Sequence, residues 1–554
     1  MKLLLRYTAI IALCLLSFSC EDYLARSPLD QPSDENFLKN ETELELAVTG
    51  VYNILWFDPP GTGSPYKLTF EAASDNGWDR NGSDLQTLGR GAATPDNGYT
   101  GSFWSRFYEG IGRANFILSK SESLEEEVAE EKLNRLFSEI RFLRAYFYSY
   151  LSELFGGVPL MTEPAELSEA EIPRSTKSEV VDFILSELSS IEQYLPSDTD
   201  KARVTKGAAL ALKSRVALFN ERWDVAAQAA KDLIDRDTYQ LHDDYAELFS
   251  YAGEDSREII MSVQYLRGEQ THSVPRLFYS RMALGHSNKV PSQSLVDSYE
   301  STDGLPIDES PLYNPDNPFE NRDPRLHYTV VLPNTLFIGY IFNTNPDSTQ
   351  TWDYSTDPPT RVENTEASHA YSSFTGYLWR KYADPADKEE RDNSELDIIL
   401  FRYAEVLLNY AEAKVELNEI DQSVYNAINK VRTRPSVEMP AITGGKSQDE
   451  LQNIIRRERK YEFAGEGLRY FDIRRWNIAH EVLSGPLLGR IEEGYLSEAP
   501  SINELGTPSY ENVSNADEME VIETRNFSEN GDYLWPIPRI ELETNSELEQ
   551  NPNY

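Results

Sequence analysis

The sequence predicts a mostly α protein in which paired helices hold a large, loop-rich insertion with short strands. Three observations carry that expectation. Leu136, Ile140, Leu143, Phe147, Leu151 and Leu154 recur at three- and four-residue spacing, the period of one helix face. Two helix pairs with small residues at their contact positions, one over 205–235 and one over 403–431, resemble degenerate tetratricopeptide units. Between them, residues 255–395 carry Pro and Asn clusters and keep no long helical period.

Length and charge bound the reading. A chain of 554 residues has room for two or three cores or one repeat array. Its 52 Lys and Arg stand against 93 Asp and Glu, a formal charge of −41. Such a body repels phosphate backbones, which excludes nucleic acid as an expected partner.

Residues 1–19 read as a lipoprotein signal peptide: Lys2 and Arg6 give the positive start, Leu3–Leu5 and Ile10–Leu16 the apolar run, and Ser17 and Ser19 lead to Cys20. The run is too short to keep a place across a bilayer. The stretch Leu16–Cys20 resembles a lipobox, with Ser17 where Leu is usual, so Cys20 is the expected lipidation site and a plain cut near Ser19 the alternative. Cys14 falls inside the signal, which leaves the mature chain one thiol and no internal disulfide. Residues 20–39, with Pro28 and Pro32, then read as a lipidated tether.

Helices dominate 40–254. Asn40 and Glu43 make a capping box for a helix with Leu44, Val48, Val51 and Leu55 on one face. The helix from Leu133 stops at Gly156, Gly157 and Pro159, and Thr176 with Glu179 caps the next, carried by Val180, Ile184, Leu188 and Ile191. Ala209, Ala217, Trp223, Ala226 and Ala230 mark the first pair; Ala404, Leu407, Ala411, Val424, Ala427 and Ile428 mark the second. Such pairs bury a core only by stacking, so the two must meet in space although about 160 residues separate them. The insertion 255–395 holds β-rich runs at Glu258–Tyr265 and Tyr328–Leu332, and function concentrates on loops held by a rigid scaffold.

Catalytic and metal motifs fail when tested. Gly444-Gly445-Lys446-Ser447 lacks the earlier Gly of a phosphate loop, where Pro440 stands, and reads as a connection between helices. Gly110-Ile111-Gly112 lies within a helical pattern. The six His include no pair four apart, and a calcium reading of Asp75–Asp84 puts Gly77 at the first ligand position. No cofactor or metal is expected. The alternating charges of Arg456, Glu458, Arg459, Glu462, Glu466, Arg469, Asp472, Arg474 and Arg475, among Phe463, Leu468, Phe471 and Trp476, read as partly buried ion pairs that lock helices together.

Seven blocks in order carry a family resemblance: Glu21-Asp22-Tyr23-Leu24 with Gly50-Val51-Tyr52; Trp104 through Leu118; Arg141-Phe142-Leu143-Arg144-Ala145; Phe155 through Leu160; Arg402 through Leu408 with Ala411-Glu412-Ala413; Glu458-Arg459 through Arg475-Trp476; and Pro536-Ile537-Pro538 with Gln550-Asn551-Pro552. On these the chain resembles the SusD/RagB family of outer-membrane, glycan-binding lipoproteins over its whole mature length. The resemblance implies a SusD-like fold of four tetratricopeptide-like helix pairs, divided as a helical region 40–254, a variable ligand-binding insertion 255–395 and a C-terminal RagB/SusD region 396–554. It also implies a non-enzymatic role: the lid of a SusC-like TonB-dependent transporter, anchored by lipid at the outer face of the outer membrane, with oligosaccharide or polysaccharide trapped between the two.

The matching blocks are scaffold and leave the ligand to chemistry. Sugars present apolar faces ringed by hydroxyls, so a glycan site needs aromatic platforms beside hydrogen-bonding groups. Trp78 stands among Asp75, Asn76, Asp79, Arg80 and Asn81, and Trp352 among Asn343, Asn345, Asp353 and Tyr354. Trp78 and Trp352 are therefore the expected platforms, with Arg80, Asn81 and Tyr279 as partners. Trp104, Trp223, Trp476 and Trp535 sit in core contexts, and Trp56 and Trp379 are undecided. Capture of a peptide or other non-sugar nutrient by the same lid is the alternative, and a lipid-anchored glycosidase a weaker one.

Overall fold

A computed structural model describes residues 37–164, 171–197 and 199–554. The signal peptide, Cys20 and most of the expected tether lie outside them. The first helix, α1 (Glu41–Tyr52), opens at Asn40, whose side chain accepts from the Glu43 amide at 3.0 Å. Glu43 returns the contact to the Lys39 amide at 2.8 Å, so the box closes one residue earlier than the sequence spacing implied.

The stack that follows comprises α2 (Gly98–Leu118), α3 (Glu130–Phe155), α4 (Lys177–Ile191), α5 (Lys206–Phe219), α6 (Trp223–Ile234), α7 (Tyr403–Glu416), α8 (Gln422–Arg432) and α9 (Gln448–Phe463). The four helix pairs are α1 with α2, α3 with α4, α5 with α6 and α7 with α8, the last two being the pairs over 205–235 and 403–431. From α2 to α6 each helix packs on the next; α6 then packs on α7, which holds both α8 and α9. The chain leaves the stack after α6 and rejoins it at α7, as the small-residue pattern required. Ala226, Ala230, Ala404 and Ala411 are buried in the shared core and let these backbones approach. Gly110 does the same between α2 and α3: a Cβ there would lie 2.5 Å from the Phe147 ring.

Local signals end these helices where the chemistry demands. Gly156 takes φ +76° after α3, a left-handed value that suits glycine. Thr176 and Glu179 form the full capping box of α4. The Gly-Gly-Lys-Ser run ends in a second one, Ser447 with Glu450 at the start of α9, so its serine serves a helix terminus.

The strands are short, and those that frame the site are β1 (Gly77–Asp79), β2 (Ile259–Val263), β3 (Lys289–Pro291), β4 (Thr335–Phe337), β5 (Tyr340–Phe342), β6 (Gln350–Asp353), β7 (Thr360–Glu363) and β8 (Ile398–Arg402). Antiparallel pairing of β2 with β8 clips the two ends of the insertion together beside the stack. β1 pairs with β3, and β4 to β7 form a four-stranded antiparallel sheet in sequence order.

Beneath the insertion lies a charge network more deeply buried than the partly buried pairs expected. Arg402 contacts Glu258 at 2.8 Å, Glu462 at 2.7 Å and Glu466 at 2.8 Å; Arg325 contacts Asp323 at 2.7 Å, Glu458 at 2.5 Å and Glu462 at 3.1 Å. Arg434 and Lys381 complete it at 2.7 Å from Glu462 and 2.8 Å from Glu466. Burial pushes the Glu462 pKa up, but Arg434, Arg402 and Arg325 outweigh it and hold the carboxyl well below its usual range. Asp75, first of the acids weighed for calcium, is taken by Arg469 at 2.8 Å and Lys460 at 3.2 Å.

Candidate functional site

The exposed aromatics of the insertion fall in two groups. The first is on the four-stranded sheet. Along β6 the pattern alternates, with Thr351 inward and Trp352 outward at 40% exposure. Trp352 pairs in register with Arg361 of β7, whose guanidinium lies 5.3 Å from the indole centroid. That contact rigidifies the ring from one side and leaves a broad aromatic surface at the sheet. Beside it runs a groove of about 450 Å³ lined by Asn334, Asn343, Asp347, Gln350, Trp352 and Arg361. Aromatic face, carboxamides, carboxylate and guanidinium together supply the stacking surface and the hydrogen-bonding rim that a sugar ring requires.

The second group is the loop 369–376. Tyr371 and Phe374 are 58% and 37% exposed, and the Arg80 guanidinium lies 5.3 and 5.5 Å from their ring centroids. Arg80 donates to the Tyr371 carbonyl at 2.7 Å and the His286 carbonyl at 3.0 Å. Arg281 donates twice to the same Tyr371 oxygen, from Nε at 2.8 Å and Nη2 at 2.6 Å. Burial, then the charge of Arg281, lowers the Arg80 pKa; burial, then Arg281 and Arg80, lowers that of His369.

A single helical turn, Thr365–Ser368, ties the groups together. Asn364 caps it and donates to the carbonyls of Asn343 at 2.9 Å and Ser348 at 2.8 Å, at the groove. Glu366 accepts from the Arg281 amide at 2.5 Å, the Ser287 hydroxyl at 3.0 Å and the Ser373 amide at 2.8 Å, at the loop.

The expected residues are distributed unevenly over this face. Trp352 is the exposed platform of the groove and Arg80 the support of the loop. Asn81 is exposed, beside the turn that its amide makes with the Asp79 carboxylate at 3.0 Å. Trp78 departs from expectation: it is only 7% exposed, stacks under Phe374 with centroids 5.6 Å apart, and donates its indole N–H to Glu523 at 3.1 Å. The aromatic offered to solvent there is Phe374, with Trp78 as its floor. Tyr279 is a second correction. It is fully buried in the cluster around Trp78, Val290 and Phe337, and its hydroxyl donates to the Asp384 carbonyl, so it has no face for a ligand. Tyr371, Phe374, Arg281 and Arg361 were not anticipated; the Trp352–Arg361 pairing could have been sought as a cross-strand partner, whereas the loop His369–Gly376 shows no pattern. Of the undecided residues, Trp379 is buried and Trp56 is half-buried, its indole bonded to the Gln264 carbonyl at 2.8 Å.

Two family models together match most of the chain. Residues 257–554 match the model described as the SusD family, and residues 22–218 match one described as starch-binding associating with outer membrane. The chain belongs to the SusD family. SusD-like protein P2 of Formosa agariphila is 27% identical, with 98% of each chain covered. A solved SusD-like carbohydrate-binding protein of Bacteroides fragilis superposes with TM-score 0.80 at 30% identity, covering 92% of this chain and 99% of the other. A laminarin-binding SusD-like protein has TM-score 0.67 at 23% identity, covering 93% and 100%, a likeness of fold.

Proposed function

We propose that this protein is a surface-exposed lipoprotein that captures oligosaccharide or polysaccharide on its insertion face and serves as the lid of a SusC-like TonB-dependent transporter for glycan import. Lipid at Cys20 would anchor it in the outer membrane, facing outward. The observation that carries the reading is the pairing of an exposed Trp352, stacked on Arg361, with a carboxamide-lined groove of about 450 Å³, on a face tied by Asn364 and Glu366 to exposed Tyr371 and Phe374. Relatives named for carbohydrate and laminarin binding support that ligand class. Glu366, the buried carboxylate of this face, is occupied by two amides and a hydroxyl and serves to hold the loop.

Affinity electrophoresis of the purified protein through gels cast with plant, fungal and host polysaccharides tests this, beside Trp352→Ala and Phe374→Ala. Retardation by one polysaccharide, abolished or sharply reduced by either substitution, is the expected result. Protein unretarded in every gel, or retarded equally in both variants, would remove the ligand or the site respectively. Co-purification with a SusC-like transporter from the outer membrane tests the lid, and loss of membrane association in Cys20→Ala tests the anchor.

A further inference from the structure

We propose that Arg80 and Arg281 form a subsite for an acidic group, a carboxylate or a sulfate ester, carried by the captured glycan. The proposal rests on the glycan-capture reading and names the substrate class. Two guanidinium groups converge here on one acceptor, the Tyr371 carbonyl, through three N–H groups at 2.6 to 2.8 Å. Like charges this close repel, and one neutral oxygen compensates little of that repulsion. Among the described residues no carboxylate lies within 4 Å of either guanidinium, unlike the buried network below, where Arg325, Arg402, Arg434 and Arg469 each have one. Asp79 and Glu366 act on Arg80, and Glu366 on Arg281, only through space, so in a chain with 93 acids and 52 bases this pair has no directly bonded counter-ion beside its exposed rings.

The neighbouring acids are committed elsewhere. Glu366 uses its oxygens on two backbone amides and a hydroxyl, and burial raises its pKa, which favours the neutral form. Asp79 pairs with Lys289, and Glu523 with Arg525 at 2.7 Å. Meanwhile Arg80 Nε and Arg281 Nη1 make no hydrogen bond among the described residues, and both side chains remain partly exposed. Two planar forks with donors to spare suit the bidentate geometry of a carboxylate or sulfate, and the Tyr371 and Phe374 rings flank Arg80 where the sugar bearing that group would rest.

The test measures binding of the purified protein to polygalacturonate and its carboxyl-reduced form, to a sulfated galactan and its desulfated form, and to a neutral glucan, at two salt concentrations. One acidic polymer should bind about ten-fold or more tightly than its neutralised counterpart, and added salt should weaken it. Which pair differs tells carboxylate from sulfate. Arg281→Gln and Arg80→Gln should erase the preference, read as the ratio of charged to neutralised polymer binding, because any loosening of the loop they hold lowers both; Arg281→Lys, which keeps the charge without the fork, should retain part of the ratio. Equal binding of charged and neutralised polymers, or a preference that survives Arg80→Gln and Arg281→Gln, overturns the subsite and leaves glycan capture standing. If no polymer binds, glycan capture falls; thermal unfolding with sodium sulfate or sodium galacturonate, against chloride at equal ionic strength, then decides the subsite. Stabilisation lost in both Gln variants would support an anion site, and its absence in the native protein would overturn it.

Discussion

Glu462→Gln is the sharpest probe of the frame beneath the ligand face. In the native protein Glu462 Oε1 accepts from Arg402 and Arg434, both at 2.7 Å, and Oε2 from Arg325 at 3.1 Å. After the substitution Arg402 keeps Glu258 and Glu466, and Arg325 keeps Asp323 and Glu458. Arg434 keeps only Glu258, at 3.4 Å. One buried guanidinium is thus left nearly unpaired and two lose a partner, and breaking a buried pair in this way costs about 3–5 kcal/mol. Urea unfolding followed by tryptophan fluorescence should show that loss as a lower midpoint with an unchanged slope. The double variant Glu462→Gln/Arg434→Met should be more stable than the sum of its parts predicts, by about 1–3 kcal/mol, since it removes the orphaned charge. The depressed native pKa of Glu462 adds a pH signature: its contribution is complete above the unfolded carboxyl range near ~4.3 and is lost as pH falls below it, a component the Gln variant lacks. A loss under about 1 kcal/mol at neutral pH would refute the claim that this network depends on each partner.

Other perturbations test neighbouring links. Tyr279→Phe should cost about 1 kcal/mol by removing its hydrogen bond to the Asp384 carbonyl, with polysaccharide retardation unchanged, because the residue is packed away from the ligand face. Gly110→Ala should gain about 1 kcal/mol in helix propensity yet lose more, about 1–3 kcal/mol, by driving a methyl into the Phe147 ring, and a lowered urea midpoint would register it. Burial lowers the His272 pKa to about 4, against a raising contribution from its bond to the Leu396 carbonyl at 2.8 Å. The unfolded chain therefore takes up a proton first, and this group's contribution to stability falls as pH drops from about 6.5 to 4. Burial raises Glu254 to about 7 and Asp397 to about 6, which acts with the opposite sign, so the measurement is the difference between native protein and His272→Gln across that window.

Most of the scaffold was legible because its signals are local. Three-four spacing fixed α3, Thr176 with Glu179 fixed the start of α4, and the alanine faces of α6 and α7 showed that helices far apart in sequence must touch. The second capping box, Ser447 with Glu450, was equally local but lay inside a motif weighed for phosphate. The ligand face was less legible because its burial is set from a distance. Polar neighbours made Trp78 look exposed, yet the atoms that cover it come from Val290, Phe374 and Glu523. Tyr279 was misjudged for the same reason, with Phe337 and the Asp384 carbonyl supplying its surroundings. Trp352 fared better because strand alternation, a local rule, decides which side it faces.

The network and the aromatic loop are mechanically continuous, and that continuity explains how such a face can present large rings to water. The loop carrying Tyr371 and Phe374 runs directly into Leu378–Trp379, paired with Val330–Val331, and then into Lys381. Lys381 is buried and bonded to the Glu466 carboxylate at 2.8 Å and the Glu462 carbonyl at 3.0 Å, while Trp379 packs against Gly465. At its other end the loop is held by Glu366 and by the arginines on the Tyr371 carbonyl. Both ends are therefore fixed by backbone and buried charge, and the Phe374 ring adds its stacking on Trp78. None of these rings touches Arg402, Glu462 or Glu466, so on the proposed reading a change at Tyr371, Phe374 or Trp352 would alter the ligand without disturbing the network below.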